Sequence, residues 1–151
     1  MMKGKKIEDR GLRMEVRPDK RISSFRGLRV YQAVFELQQV IFEESKKFPV
    51  EEKYSLTDQI RRSSRSTGAN LSEGWKKRRY EANFICKLTD ADAEAAETLH
   101  WLLTAYQCSY LSKSRFIQLN KECDEISSML GKMMREPGKW TMKSNRERME
   151  D

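Results

Sequence analysis

Phe116, Leu119, Cys123, Ile126, Leu130 and Met133 follow one another at steps of three and four residues, the spacing that lays one apolar edge along an α-helix. A strand, with its two-residue period, would turn half of that edge into water. The same rhythm runs through Phe84, Leu88, Ala91, Ala95, Leu99, Leu102 and Tyr106 and predicts a second long helix of about 25 residues. Leu28, Tyr31 and Phe35, with Val30, Val34, Leu37, Val40, Ile41 and Phe42, predict another from Leu28 to about Lys47, ended by Phe48 and Pro49. No strand pattern competes. Seven Gly and three Pro are too few for an all-β fold built on many turns.

Between these lies a segment with a weaker pattern. Ser55 can cap a helix opening at Leu56, with Asp58 three residues on as a variant of the capping box. Leu56, Ile60, Thr67 and Leu71 trace a thin stripe, and SSRST supplies small side chains where a bundle helix usually carries large ones. Two readings stand together: close approach of another backbone or subunit, or a weakly packed exposed helix. Gly74 is expected to interrupt or end the helix. Ser112 is placed to cap the last helix, which Pro137 and Gly138 stop.

Four helices with short connections predict an all-α, antiparallel up-down four-helix bundle over residues 25–136. Residues 1–24 lack an apolar period and read as a flexible basic arm. Residues 137–151 read as a polar tail anchored by Trp140. The 151 residues suit one core. No apolar run approaches the roughly 18 to 20 residues of a membrane span, and the start MMKGKKIEDR runs into charge, so a cytoplasmic protein is expected. Cys86, Cys108 and Cys123 lack metal or disulfide spacing and read as small buried groups.

The formal charge of +7 is unevenly spread. Residues 1–29 and 61–79 each hold +6, whereas 30–60 hold −3 and 80–110 hold −4. Blocks of one sign point to polyanion binding more than to solubility.

The strings Phe25-Arg-x-Leu-x-Val-Tyr-Gln, Leu56-Thr-x-Gln-Ile-Arg-Arg-Ser through Ala69-Asn-Leu-x-Glu-Gly74, and Ala105-Tyr-x-x-x-Tyr-Leu-Ser112 resemble the four-helix-bundle family encoded in intervening sequences of bacterial 23S rRNA genes. The resemblance spans about residues 25–135 and is most specific at Gln59-Ile60-Arg61-Arg62, Ala69-Asn70 and Glu73-Gly74. It implies a bundle assembling into a pentameric ring with a basic surface. It also implies a distant relation to the accessory subunits of diversity-generating retroelements, which bind reverse transcriptase and nucleic acid. Gly68 stands where the family typically carries proline, and Tyr31 where it usually shows tryptophan. A break at position 68 is therefore allowed but not imposed.

Arg61 and Arg65 are four apart on one helix face, with Arg62 turned by about 100°. Lys76, Lys77, Arg78 and Arg79 are bracketed by Trp75 and Tyr80. Read as the start of the next helix, four cations oppose its macrodipole, so stability does not account for them. Cations beside backbone N–H groups make an anion site, and flanking aromatics can stack on bases. The bland alternative is a solvated surface, or pairing with acidic residues of the following helix.

Asp90, Asp92, Glu94 and Glu97 read as a solvated or subunit-facing acidic stripe, since a di-metal bundle needs Glu-x-x-His pairs and the chain has one His. His100 reads as a core or boundary histidine. The arginine of a HEPN-type ribonuclease motif would fall at Ala93, Glu94 or Ala95. The expectation is a non-enzymatic, cofactor-free homo-oligomer, pentameric by resemblance, that presents Arg61, Arg62, Arg65 and residues 76–79 to RNA or DNA. The alternative is a scaffold or accessory subunit that docks a reverse transcriptase.

Overall fold

The computed structural model describes residues 22–142. Four helices carry the fold: α1 (Arg29–Ser45), α2 (Leu56–Lys76), α3 (Glu81–Gln107) and α4 (Lys113–Arg135). Each packs on the next, and α4 closes against α1, so the chain runs up and down around one core. No strand occurs among the described residues, and no helix there is long and apolar enough to cross a membrane.

The core is made of the periodic positions. Val34, Leu37 and Ile41 of α1, Phe84, Leu88 and Leu102 of α3, and Leu119, Ile126 and Leu130 of α4 are all buried. The arm expected over residues 1–24 lies outside the described residues except at 22–24, where Ile22 packs against the core. The tail expected from 137 is described to residue 142. It opens with a 3₁₀ turn, Pro137–Lys139, and Trp140 packs on the core as anticipated.

Local details differ from expectation in four places. Ser55 does not cap α2 with its own hydroxyl. Its Oγ donates to Glu52 Oε2 at 2.7 Å, and that carboxylate accepts the Leu56 N–H at 3.1 Å. A carboxylate reaching the helix N-terminus satisfies the orphan donor and favours the dipole, so Glu52 takes the capping role. These two hydrogen bonds, the Ser55 one first, lower the Glu52 pKa.

Neither Gly74 nor Gly68 breaks α2, which passes through both. A Cβ on Gly74 would stand 3.1 Å from Lys87 Cβ, and one on Gly68 would stand 3.3 Å from Val34 Cγ1. The glycines allow α2 to approach α3 and α1 closely. Ser63, Ser64 and Thr67 are buried on the same helix, which settles the two readings of SSRST in favour of close backbone approach. Their hydroxyls are satisfied locally: Ser64 Oγ donates to Arg61 O at 3.2 Å and Thr67 Oγ1 to Ser63 O at 3.1 Å. Thr98 Oγ1 of α3 reaches Ser63 Oγ at 2.9 Å.

Cys86 and Cys108 are exposed, contrary to the buried reading, and Cys123 alone is buried in the α4 seam. Burial pushes its thiol up to about 12. Ser112 caps α4 as expected, accepting the Arg115 N–H at 3.2 Å.

Candidate nucleic-acid interface

With its small residues turned inward, α2 presents its long side chains outward. Arg61, Arg62 and Arg65 line an open groove of about 600 Å³ together with Lys53, Tyr54 and Asp58. Ser66 and Ala69 form part of its wall. Arg61 is held in place: its Nε donates to Ser45 Oγ at 2.7 Å and its guanidinium lies 4.9 Å from the Phe42 ring centroid. Arg65 rests over the same ring at 5.5 Å. Arg62 turns the other way, and its Nη2 pairs with Glu97 Oε1 of α3 at 3.1 Å. Glu97 also accepts Trp101 Nε1 at 3.3 Å.

The second basic block divides differently from the sequence reading. Lys76 is in the last turn of α2 and Lys77 is its C-cap, so both complement the α2 dipole instead of opposing that of α3. Trp75 is only 5% exposed and belongs to the core, so it is not available to stack on a base. Arg78 is committed to it, with its guanidinium 3.5 Å from the Trp75 ring centroid and Nε donating to Trp75 O at 2.8 Å. Burial lowers the Arg78 pKa from its ordinary value. Tyr80, at the N-cap of α3, is 61% exposed. Among the described residues no carboxylate lies within 4.0 Å of the Arg65, Lys76, Lys77 or Arg79 cationic nitrogens.

Helical geometry joins the two blocks. Arg65 and Lys76 are eleven residues apart, which is about 16 Å of rise and about 20° of rotation, so they share one face. The antiparallel topology adds cations that the linear reading left out, because α1 begins, α2 ends, α3 begins and α4 ends at one end of the bundle. Met142 N–H donates to Arg78 O at 3.2 Å, which ties the end of the described chain to the Lys76–Arg79 turn. Arg29 at the start of α1, with Lys132 and Arg135 in the last turn of α4, therefore lies toward the same end.

The acidic residues of α3 are used within the chain. Asp92 Oδ1 accepts from Ser127 Oγ at 2.8 Å, and Asp90 lies 4.0 Å from Lys87 Nζ. Glu94 Oε2 is buried without a hydrogen-bond partner. Desolvation first, then the neighbouring Glu97 charge, raises its pKa. Among the described residues no three His, Cys, Asp or Glu side chains are grouped so as to hold a metal ion. His100 is exposed rather than in the core, its ring 4.8 Å from that of Trp101.

Residues 26–132 match the family described as 23S rRNA-intervening sequence protein. The chain belongs to that family. A crystal structure of a protein from Bacteroides thetaiotaomicron, described as of unknown function and from the S23 ribosomal protein family, is 30% identical with a TM-score of 0.63. That likeness covers 70% of this chain and 97% of the other. Among curated proteins, none matches it.

The Asn70, Glu73 and Gly74 part of the most specific α2 string is a packing device. Lys87 Nζ of α3 lies 2.7 Å from Glu73 Oε2 and 3.4 Å from Asn70 Oδ1, while its Cβ lies against Gly74. Asn70, Glu73 and Gly74 thus converge on a single lysine. The hydrogen bond that Lys87 donates to Glu73 lowers the Glu73 pKa and raises that of Lys87. The groove residues missed by the sequence reading are Lys53 and Tyr54. A signal was present: Lys53 and Tyr54 immediately precede the Ser55 N-cap of α2, within about two turns of Arg61.

Proposed function

We propose that this protein is a non-enzymatic, cytoplasmic bundle that assembles into a homo-oligomer, pentameric as its family resemblance implies, and binds nucleic acid through its basic surface. The observation that carries the reading is the α2 stripe from Arg61 to Lys76, whose Arg65, Lys76 and neighbouring Arg79 have no carboxylate partner among the described residues. Cations left without a carboxylate are open to an anion of another molecule. Phosphates are the natural cover, because each neutralised phosphate releases condensed counterions and makes affinity fall steeply with salt. Lys76, Lys77, Arg79 and Tyr80 extend the contact beyond the groove. Trp75 supports it from the core, and Arg78, whose Nε is taken by Trp75 O, keeps both terminal Nη groups for a phosphate.

Filter binding with RNA and DNA across about 50 to about 300 mM salt tests the reading. A negative log–log slope of about three or more is expected from a surface with this many unpartnered cations. A flat dependence, or no retention at low salt, overturns it. Light scattering tests assembly separately: five times the 17.9 kDa chain mass supports the ring, and the single-chain mass rejects it.

A further inference from the structure

We infer that the α2 groove is a single-strand site, in which Tyr54 carries an unpaired base while Arg61 and Arg65 hold neighbouring phosphates. The inference rests on the nucleic-acid reading above and narrows it to one strand form and one place.

Tyr54 is the starting observation. Its side chain is 86% exposed at the mouth of the groove, takes no part in the core, and makes no hydrogen bond through its hydroxyl among the described residues. Among them it has no aromatic partner, and its one cation–π contact is with Lys53, whose Nζ lies 5.4 Å from the ring centroid. An uncovered aromatic beside cations has no packing role, but it is a platform for a base, since every base has a π-face.

The arginines are organised before any ligand arrives. Ser45 occupies Nε of Arg61, which leaves both terminal Nη groups for an anion, and Phe42 lies under the Arg61 and Arg65 guanidinium groups together. Holding these planes beforehand reduces the ordering cost of binding. Arg61 and Arg65 are one helical turn apart, about 6 Å along the axis, a step that a sugar-phosphate backbone can follow. Lys53, Arg61 and Arg65 face the single carboxylate of Asp58 in the groove, while Arg62 is matched by Glu97.

Base stacking selects the strand. The groove is walled by residues 53–69 alone and opens to solvent, so a duplex can set its phosphates on Arg61 and Arg65. Its paired bases are stacked inside their helix and cannot reach Tyr54 without being unpaired. The site therefore reads stacking and charge rather than base identity, and discriminates single from double strands.

The test is fluorescence anisotropy at fixed salt on the full chain, with a labelled pyrimidine strand of roughly ten nucleotides and a duplex of equal length. The single strand is expected to bind about tenfold more tightly than the duplex. Tyr54→Ala should weaken the single strand by roughly tenfold and leave the duplex within about twofold, while Tyr54→Phe retains the single-strand affinity. Arg65→Ala should weaken both and lower the salt slope by about one. Circular dichroism confirms that the variants keep their helices. Equal affinity for the two forms, an unaffected Tyr54→Ala, or displacement by polyglutamate as effective as by the single strand would overturn this inference while the broader polyanion reading stands. If the wild-type chain binds neither strand form, both fall.

Discussion

α2 and α4 have similar lengths, 21 and 23 residues, and each buries one face, but they do so by opposite means. α4 fills space. Leu119, Cys123, Ile126, Leu130 and Met133 form a continuous apolar seam. α2 removes obstruction: Ser63, Ser64, Thr67, Gly68 and Gly74 are buried between Ile60, Leu71 and Trp75, and this helix packs against both α1 and α3. A seam of large side chains draws stability from apolar area, whereas a seam of small ones draws it from proximity and satisfied hydroxyls. The second arrangement places α2 tightly between two neighbours and turns its arginines to the outside.

The largest expected effect separates the two seams directly. Leu119→Ala and Ile126→Ala empty fully buried positions and should each cost about 2 to 5 kcal/mol in urea denaturation. Ser63→Ala removes the contact with Thr98, whose hydroxyl keeps Glu94 O at 2.8 Å, and the long donation of Ser63 Oγ to Ile60 O at 3.4 Å, and should cost about 1 kcal/mol. A loss at Ser63 equal to that at Leu119 would break the distinction.

The glycines sharpen it. At Gly74 the added methyl meets Lys87 Cβ, which is anchored to the α3 backbone, so overpacking offsets the gain in helix propensity. Gly74→Ala should therefore destabilise, by about 1 kcal/mol or more. At Gly131 of α4 the methyl meets only the mobile end of Arg135, and Gly131→Ala should stabilise by up to about 1 kcal/mol. Thermal unfolding of the pair reads both signs, and the same sign at both would mean that α2 is not the closely packed helix described.

A pH series probes the border between α2's arginines and α3. Because Glu94 is raised in the folded state, its charged form costs stability above the ordinary glutamate range, and that cost disappears as pH falls. Glu94→Gln should therefore raise the melting temperature near pH 7, with the gain shrinking toward acidic pH. A gain independent of pH would show that the carboxylate is not the source of the strain.

The smallest effect lies in the α3–α4 connection. Ser109 has φ 62°, and Tyr110 N–H reaches Ala105 O at 2.9 Å, a Schellman end with serine where glycine fits best. Ser109→Gly should stabilise by about 0.5 to 1 kcal/mol, read by the same melts.

Most of the helical architecture was legible because periodicity is written locally. α4 could be read from its three-and-four steps and its Ser112 cap, and α1 and α3 from their apolar rows. α2 was less legible, since small residues look alike whether they are exposed or pressed against a neighbouring helix. At the site, the arginines were legible and their commitments were not. Trp75 and Tyr80 bracket the same basic run, but one is in the core and the other is in water.

The amino-acid order by itself determined four helices, their inward edges and the two cationic runs, because these depend on residues within a turn or two of one another. Only the tertiary structure decided which cations remain open. Arg62 meets Glu97 across 35 residues, Arg61 is held by Ser45 of α1 across 16, and Arg65 lies over Phe42 of the same helix. Charge has a short reach in water, so a neighbour brought close by packing changes what an arginine can bind, and that neighbour is chosen by the fold.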